Sequence, residues 1–537
     1  MIFNRGKWGI TNKQSFVAIF FVFVLVLILD VVHNPSINVL KWDVFGYYIY
    51  LPAFFIYNDL GLDNLYWVKE INNMYHNTAT LYQIALSPTG HNVNQYSLGM
   101  AIVYLPFFLL GHGMALITHY PADGFSLPYQ AAIFMSGITY MTIGLTYFRK
   151  ALLHFFTDKI AAIVILIICL GTNYLHLQIR GNAIITHNYL FAFYAFLIWR
   201  TIKWHQKINN KNSLVLGLTI GLMVTIRPSE IVAILIPVLY GVTSISSFKE
   251  RISFLIDKKK YVLRAVFVAF LVGLPQLIYW KLYAGEFIYY SYNNNGEGLD
   301  LLSPHVLNVL FSFRKGWLIY TPVMIFSIVG FYHLYKNYRK LFFPAVLFFI
   351  VNFYLVSSWS TWWYAGSFSQ RALMQSYAVM ALPLGALLSF PLRKSLKIGG
   401  GIILLFLVGL NLFQTGQISN GILNESRMTK AYYFSVFGQT TLPTEEQKEL
   451  LLIKRSVTSV DEFLHPEKYQ LILEEKNDFE NEKTGGTIFN NAHSGDYVFK
   501  MNKAHPFSPA IKKKFNELTQ QDHAWIKITA WVYPSEK

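Results

Sequence analysis

The sequence predicts an all-α polytopic membrane protein followed by a small β-rich domain. Three observations predict it. Of 537 residues, 54% are hydrophobic and only 14% are charged, whereas a soluble domain carries about 25% charged residues. The apolar residues gather in successive long runs separated by short basic loops, the pattern of repeated membrane helices. After residue 415 charged residues become common and the apolar runs shorten to strand length.

Residues 1–14 carry Arg5, Lys7 and Lys13, and Ser15 to Val32 is apolar apart from Asp30. No small-residue cleavage site follows, so this run reads as a retained first helix with its N-terminus in the cytoplasm. The loop 33–97 has few Lys or Arg and reads as extracytoplasmic. It contains Trp42-Asp43-Val44-Phe45-Gly46-Tyr47-Tyr48-Ile49-Tyr50-Leu51-Pro52-Ala53. Apolar runs follow at about 98–118, 128–148, 160–176, 184–201, 213–226, 230–246, 261–282, 316–335, 341–357, 372–390 and 398–414. Basic loops at every second gap from residue 149 onward are expected in the cytoplasm. That puts 177–183, 227–229, 283–315, 358–371 and everything after 415 outside. Parity then asks for about 11 or 13 crossings. Either 44–58 also crosses, or one of 98–118 and 128–148 is re-entrant or lies in the interface. The expected location is the inner (plasma) membrane, with the lipid bilayer as a partner.

The net charge of +16 follows from this topology and does not point to nucleic acid, since no basic stripe with interleaved aromatics lies outside the membrane. Cys169 is the only cysteine, which excludes an intramolecular disulfide and a cysteine metal site. No metal-binding set is predicted.

Residues 1–415 are expected to form the membrane domain and 416–537 an extracytoplasmic tail. In the tail, Thr444 to Arg455 reads as a helix capped by Thr444. Strands are expected at Tyr469–Leu473, Tyr497–Met501 and Trp525–Val532. Three strands make a poor independent domain, so the tail is expected to be incomplete.

The polar residues near the outside face are where chemistry is expected. Asp43 is a carboxylate at a membrane face followed by aromatics, a place for chemistry on a lipid-borne substrate; the competing reading is a solvated loop acid beside an interfacial belt. Arg180, His187 and Asn188 flank the outside start of a helix. Arg227 either pairs with Glu230 to close a turn or faces the site. Arg314 and Lys315 are basic at an outside helix end, against the positive-inside trend, and either bind an anion or snorkel. The loop 357–371 packs Trp359, Trp362, Trp363, Tyr364, Gln370 and Arg371 beside the membrane. Aromatic faces against sugar rings, with an arginine on a phosphate, are the parts of a lipid-sugar site.

The first-loop acid Asp43, the aromatic segment Tyr47 to Pro52 and the many-helix body resemble the GT-C class of polytopic glycosyltransferases. That class includes the protein O-mannosyltransferases and the aminoarabinose transferases of lipid A. The stretches Gly46 to Ala53, Tyr96 to Ala101, Thr186-His187-Asn188, Ile226-Arg227-Pro228, Lys315-Gly316-Trp317 with Tyr320-Thr321-Pro322, and Gly366-Ser367-Phe368 with Gln370-Arg371 look like a bacterial branch of it. Two departures stand out. Val44 follows Asp43 where the mannosyltransferases carry an Asp-Glu pair, and His187-Asn188 stands where the aminoarabinose transferases carry an acid. Neither the acceptor nor a metal requirement therefore carries over, and a divalent metal stays open as a cofactor.

The resemblance implies inverting transfer from a polyprenyl-phosphate sugar donor to an extracytoplasmic acceptor, whether glycan, lipid or protein. Asp43 would be the general base, and Arg371 with Arg314 or Lys315 would hold the donor phosphate. Substrate contacts would come from His187, Asn188, Arg180, Arg227, Tyr47, Tyr96, Trp362, Trp363, Tyr364 and Gln370. Ser494-Gly495-Asp496-Tyr497 and Trp525 to Trp531 resemble carbohydrate-binding modules. The alternatives are a flippase or transporter of lipid-linked glycans, and a glycan polymerase or ligase. The apolar runs are nearly free of charge at their middles, which favours chemistry at the surface over a polar route across.

Overall fold

Long apolar runs become helices because a backbone away from water must satisfy its own hydrogen bonds. The computed structural model describes residues 13–33, 38–292, 297–391 and 393–452, and beyond these only short stretches between 470 and 532. Among the described residues seven helices are long and apolar enough to cross a membrane: Lys13–Asp30, Gly99–Ile117, Leu127–Phe155, Lys259–Ala284, Arg339–Ser357, Arg371–Leu388 and Lys394–Ser419. Shorter apolar helices stand at Asn210–Ile226 and Pro228–Leu239.

The first run is α1 (Lys13–His33). The aromatic stretch after it does not make one crossing helix. It makes α2 (Asp43–Tyr48) and α3 (Tyr50–Phe55), joined through Ile49, whose backbone is helical and keeps its bonds to Phe45 and Ala53; together they reach about 20 Å at 1.5 Å per residue, short of the ~30 Å of a bilayer core. The rest of the first loop holds α4 (Leu65–Tyr75) and the antiparallel pair β1 (Ile84–Leu86) and β2 (Asn92–Asn94), with Ala85 opposite Val93.

The next two helices are α5 (Gly99–Ile117) and α6 (Leu127–Phe155). α5 starts against the end of a later helix: a Cβ on Gly99 would lie 2.2 Å from the Ile226 nitrogen. Its far end leads into a turn whose carbonyls at Gly124 and Asp123 accept from the Tyr48 and Tyr57 hydroxyls, and whose Asp123 carboxylate accepts from Tyr75. Both ends of α5 therefore lie on the face that carries Asp43. α6 begins on that face, where Gln130 accepts from the backbone of Val39 and Leu40 at 2.8 and 3.0 Å. It runs to the opposite face, where Arg149 donates to Ser15 at the start of α1. There α7 (Asp158–Leu170) opens with Asp158 accepting from the backbone of Gln14 and Ser15.

The body continues through α8 (Thr186–Gln206), α9 (Asn210–Ile226), α10 (Leu235–Leu239), α11 (Ile245–Asp257) and α12 (Lys259–Ala284). α9 and α12 approach closely because α9 presents Gly217 and Gly221 to Ala265 and Ala269, a small-residue seam that brings backbones together. The loop after α12 carries α13 (Val306–Phe311), and then come α14 (Trp317–Tyr320), α15 (Met324–Asn337), α16 (Arg339–Ser357), α17 (Tyr377–Leu388) and α18 (Lys394–Ser419). The span ending in α17 is 83% buried, while α12 and α18 are only 6% buried in theirs. α17 is thus the central helix, and α12 and α18 present apolar sides outward.

The helical unit extends past residue 415. Asn411, Gln414 and Gln417 of α18 donate inward to the Tyr320 carbonyl, the Tyr433 hydroxyl and the Val436 carbonyl. The bonds from Gln414 and Gln417 hold α19 (Lys430–Ser435), Gln447 of α20 (Glu445–Glu449) donates to the Ser435 carbonyl at 2.8 Å, and the division into compact units falls after Ile453. Thr444 caps α20 as expected, but the helix ends at Glu449; Lys454 and Arg455 lie outside the described residues. In the second unit, β3 (Thr487–Phe489) pairs antiparallel with β4 (Tyr497–Phe499), and α21 spans Phe515–Leu518. The expected strand at Tyr497–Met501 is therefore present in part. Of Tyr469–Leu473, the described Gln470, Ile472 and Leu473 are not in a strand. Trp525–Val532 is described only at Trp531 and Val532, which are not in a strand either.

Candidate active site

Asp43 is the first residue of α2, and the residue before it sets its direction. Trp42 has φ +51, a conformation that L side chains rarely adopt. It is held from both sides, its N–H by the Asn77 carbonyl at 2.9 Å and its carbonyl by Gln83 Nε2 at 2.9 Å. The carboxylate then meets three donors. Tyr82 and Tyr96 donate to Oδ1 at 2.8 and 2.9 Å, and Arg371 Nη2 donates to Oδ2 at 2.8 Å. Asp43 and Arg371 are 328 positions apart in sequence. Their side chains keep 21% and 18% exposure, so the pair is reachable.

Burial alone would raise the Asp43 carboxyl. The Arg371 charge and the two phenol hydrogen bonds outweigh it and hold the group below the ordinary carboxylate range. The same burial and the Asp43 charge push the phenols of Tyr82 and Tyr96 upward. They therefore stay protonated and donate. Tyr96 is seated over Gly46, where a Cβ would lie 2.4 Å from its ring. The Tyr47 ring meets Tyr96 edge-on with centroids 4.5 Å apart.

Arg227 closes α9 beside this cluster. Its charge acts on Tyr47, Tyr292, Tyr364 and His187. Among the described residues no hydrogen bond or ion pair engages its half-buried guanidinium. The Arg227–Glu230 pair does not form. The Glu230 carboxylate turns inward, taking the Tyr194 hydroxyl on Oε2 and Gln375 Nε2 on Oε1 at 3.2 Å. An ionised carboxylate only accepts, so the Gln375 nitrogen faces Glu230 and its oxygen faces His187 Nδ1 at 2.9 Å. His187 therefore carries its proton on Nδ1. His187, Glu230 and Gln375 are all 1–2% exposed.

The loop 357–371 delivers Arg371. Tyr364, Ala365 and Ser369 have φ of +50, +53 and +57, each costing on the order of 1–3 kcal/mol for a residue other than glycine. Surrounding contacts hold it. Lys315 Nζ is buried and donates to the carbonyls of Ser367 and Glu425 and to the Ser367 hydroxyl. Ser367 N–H donates to the Glu425 carbonyl at 3.1 Å, and Gln370 Nε2 to the Trp362 carbonyl at 2.9 Å. Burial and the nearby Arg371 charge push the Lys315 amine well below the lysine range, with Glu425 opposing.

The structure thus brings Asp43, Tyr96, Tyr47, Arg227, Arg371, His187 and Tyr364 together. Lys315 is engaged in pinning the loop. Arg314 lies 3.9 Å from the Trp363 ring centroid and donates to the Ser426 carbonyl at 2.9 Å. Asn188 ties α6 to the turn before α8 through the carbonyls of Gly137 and Ala183. Arg180 is exposed on a turn at φ +62. Trp362 meets Trp363 edge-on and lies near His305. Sequence reasoning missed Tyr82 and Gln375, which sit in no motif. Among the described residues no group of three or more His, Cys, Asp or Glu side chains is arranged to hold a metal. Asn293, Asn294 and Asn295 lie outside the described residues.

No protein-family model and no curated protein matches the sequence. Solved structures similar to this chain include two oligosaccharyltransferases. One is the archaeal oligosaccharyltransferase AglB from Archaeoglobus fulgidus in complex with an inhibitory peptide and a dolichol-phosphate: 13% identity, TM-score 0.45, covering 84% of this chain and 61% of that one. The other is the Archaeoglobus fulgidus oligosaccharyltransferase complex with Zn and sulfate: 13% identity, TM-score 0.41, covering 82% and 57%. The chain spans about three-fifths of the length of these proteins.

Proposed function

We propose that this chain is a membrane glycosyltransferase of the GT-C kind, moving a sugar from a polyprenyl-phosphate donor to a hydroxyl acceptor outside the cytoplasm with inversion. The observation that carries the reading is the meeting of Asp43 with Arg371, beside the unengaged guanidinium of Arg227. A carboxylate and two cations at one partly open point suit a reaction that removes a proton and releases a phosphate.

The acceptor hydroxyl attacks the anomeric carbon from the face opposite the phosphate. Its O–H bond breaks and the proton passes to Asp43. The anomeric C–O bond breaks and its electron pair leaves on the polyprenyl phosphate. That leaving group needs no acid; it needs its charge balanced, by Arg371 and Arg227. Arg227 takes the place expected of Arg314 and Lys315, whose polar atoms bond to backbone carbonyls.

The test is transfer from radiolabelled polyprenyl-phosphate hexoses into membrane glycan, lipid and protein fractions, with wild type and Asp43→Asn side by side. Transfer by wild type and a loss of at least ~10²-fold in the variant is the expected result. Equal transfer by both removes Asp43 as the base. No transfer from any donor overturns the transferase reading in favour of translocation.

A further inference from the structure

The base is not free in the resting protein. Oδ1 is taken by two phenols and Oδ2 by Arg371. A hydroxyl delivering a proton needs one of those oxygens, and Oδ2 has the single partner that a substrate can compete for.

Among the described residues Arg371 is bound through one nitrogen only. Its contact with Asp43 is a single N–H···O bond from Nη2, not the two-point fork that guanidinium and carboxylate favour. Its Nε is buried and has no partner among the described residues. A buried unpaired N–H is costly. A phosphate group seated against Nε and a neighbouring nitrogen would supply two parallel bonds in place of one, and Arg227 stands by to share the charge.

We propose that the donor's phosphate unlocks the base: by taking Arg371 as a two-point partner it draws the guanidinium off Asp43 Oδ2 and leaves that oxygen open to the acceptor hydroxyl. Donor binding and base activation are then one event, and a protein without donor keeps its carboxylate locked. The inference rests on the reading of Asp43 as base of a polyprenyl-phosphate-dependent transferase. Once Arg371 leaves, burial acts on the carboxyl with less opposition. The charged and titratable groups around it are then Tyr82 and Tyr96 on Oδ1, Tyr47 from α2, Tyr292 from the loop after α12, and Arg227 acting through Tyr47.

The experiment uses the full chain in nanodiscs, with polyprenyl phosphate as the probe and polyprenol as the phosphate-free control. A hydrophobic carbodiimide, which modifies protonated buried carboxyls, is applied at mildly acidic pH. Labelling of Asp43 is read by peptide mass spectrometry, with Asp43→Asn as the specificity control, and polyprenyl phosphate binding is measured separately by native mass spectrometry. The expected result is a rise of about tenfold with polyprenyl phosphate, the change that one pKa unit makes in the protonated fraction, and none with polyprenol. Arg371→Ala should label at the raised level without ligand and gain nothing from it; Arg371→Gln, which removes the charge and keeps a polar side chain, serves if the alanine variant does not fold. Binding of polyprenyl phosphate with labelling unchanged or reduced overturns the unlocking step alone. Failure of polyprenyl phosphate to bind overturns it together with the choice of donor.

Discussion

The amide oxygen of Gln375 lies 2.9 Å from His187 Nδ1, and its nitrogen is taken by Glu230. Three buried polar side chains from three separate stretches thus fix one imidazole in one tautomer. In protein labelled with 15N-histidine, His187 should show a protonated Nδ1, and Gln375→Leu should lose that signature. The leucine variant leaves two buried groups short of a partner, about 1–3 kcal/mol each, so its melting temperature should fall. Gln375→Glu, nearly identical in shape, should be worse at neutral pH, since it sets two carboxylates face to face. That loss should shrink as pH is lowered and one of them takes a proton.

Removing the phenols tests the electrostatics of the carboxylate. Asp43 has its folded pKa below its unfolded value, which is near 3.9. Its ionised form therefore stabilises the fold above that unfolded value, and the contribution is lost as pH falls through the lower folded one. From pH 7 down to about 5 Asp43 should cause no loss of stability or of kcat/KM. Tyr82→Phe and Tyr96→Phe each delete a bond to a charged acceptor, about 1.5–3 kcal/mol. Either variant should move the acid limb of kcat/KM to higher pH, and the double variant further. A limb that stays in place would count against the phenols as donors to the base.

Lys315→Met tests the loop. Methionine fills much of the lysine volume but leaves the Ser367 carbonyl without its donor and the Glu425 carbonyl with the Ser367 N–H alone. The three positive-φ residues then relax, and Arg371 loses its fixed approach. Stability should fall by about 1–3 kcal/mol and kcat should fall more than KM for donor changes. A rise in donor KM with kcat unchanged would mean that Lys315 touches the donor after all.

Glycine substitutions separate close approach from open space. Gly99→Ala drives a methyl to 2.2 Å from the Ile226 backbone and should not fold stably. Gly46→Ala meets the side chains of Tyr96 and Gln83 and no backbone; both can swing aside, so the protein should fold but lose at least ~10-fold in activity as Tyr96 leaves Asp43. Gly400→Ala, with nothing within 4 Å, should leave activity unchanged and stabilise α18 by up to about 1 kcal/mol. Thermal melts and transfer assays on the three read these outcomes.

Asp43 was legible because a carboxylate beside a membrane is rare and costly. The arginine that meets it was legible as chemistry but not as a contact, since no spacing rule links positions 328 apart. Arg314 and Lys315 could not be placed from sequence for a physical reason: a cation against the topological trend is satisfied equally well by a phosphate or by main-chain carbonyls, and residue type does not distinguish these. The stretch 44–58 has the composition of a crossing, but its helical part ends at Phe55. That both ends of α5 lie on the side of Asp43 depends on tertiary contacts, which hydropathy does not record. Tyr82 carries no signal beyond being one tyrosine of 35.

The separation of Asp43 from Arg371 also bears on how the protein is made. At about 5–20 residues per second, the ribosome needs roughly 15–65 seconds to travel from one to the other. For that time a carboxylate waits at the bilayer surface without its cation, while one hydrophobic segment after another is inserted behind it. A nascent chain released before residue 371 would have a first loop but no paired acid. Assembly of the site is therefore a late step in biogenesis, and any factor that attends the first loop in the meantime meets a bare negative charge.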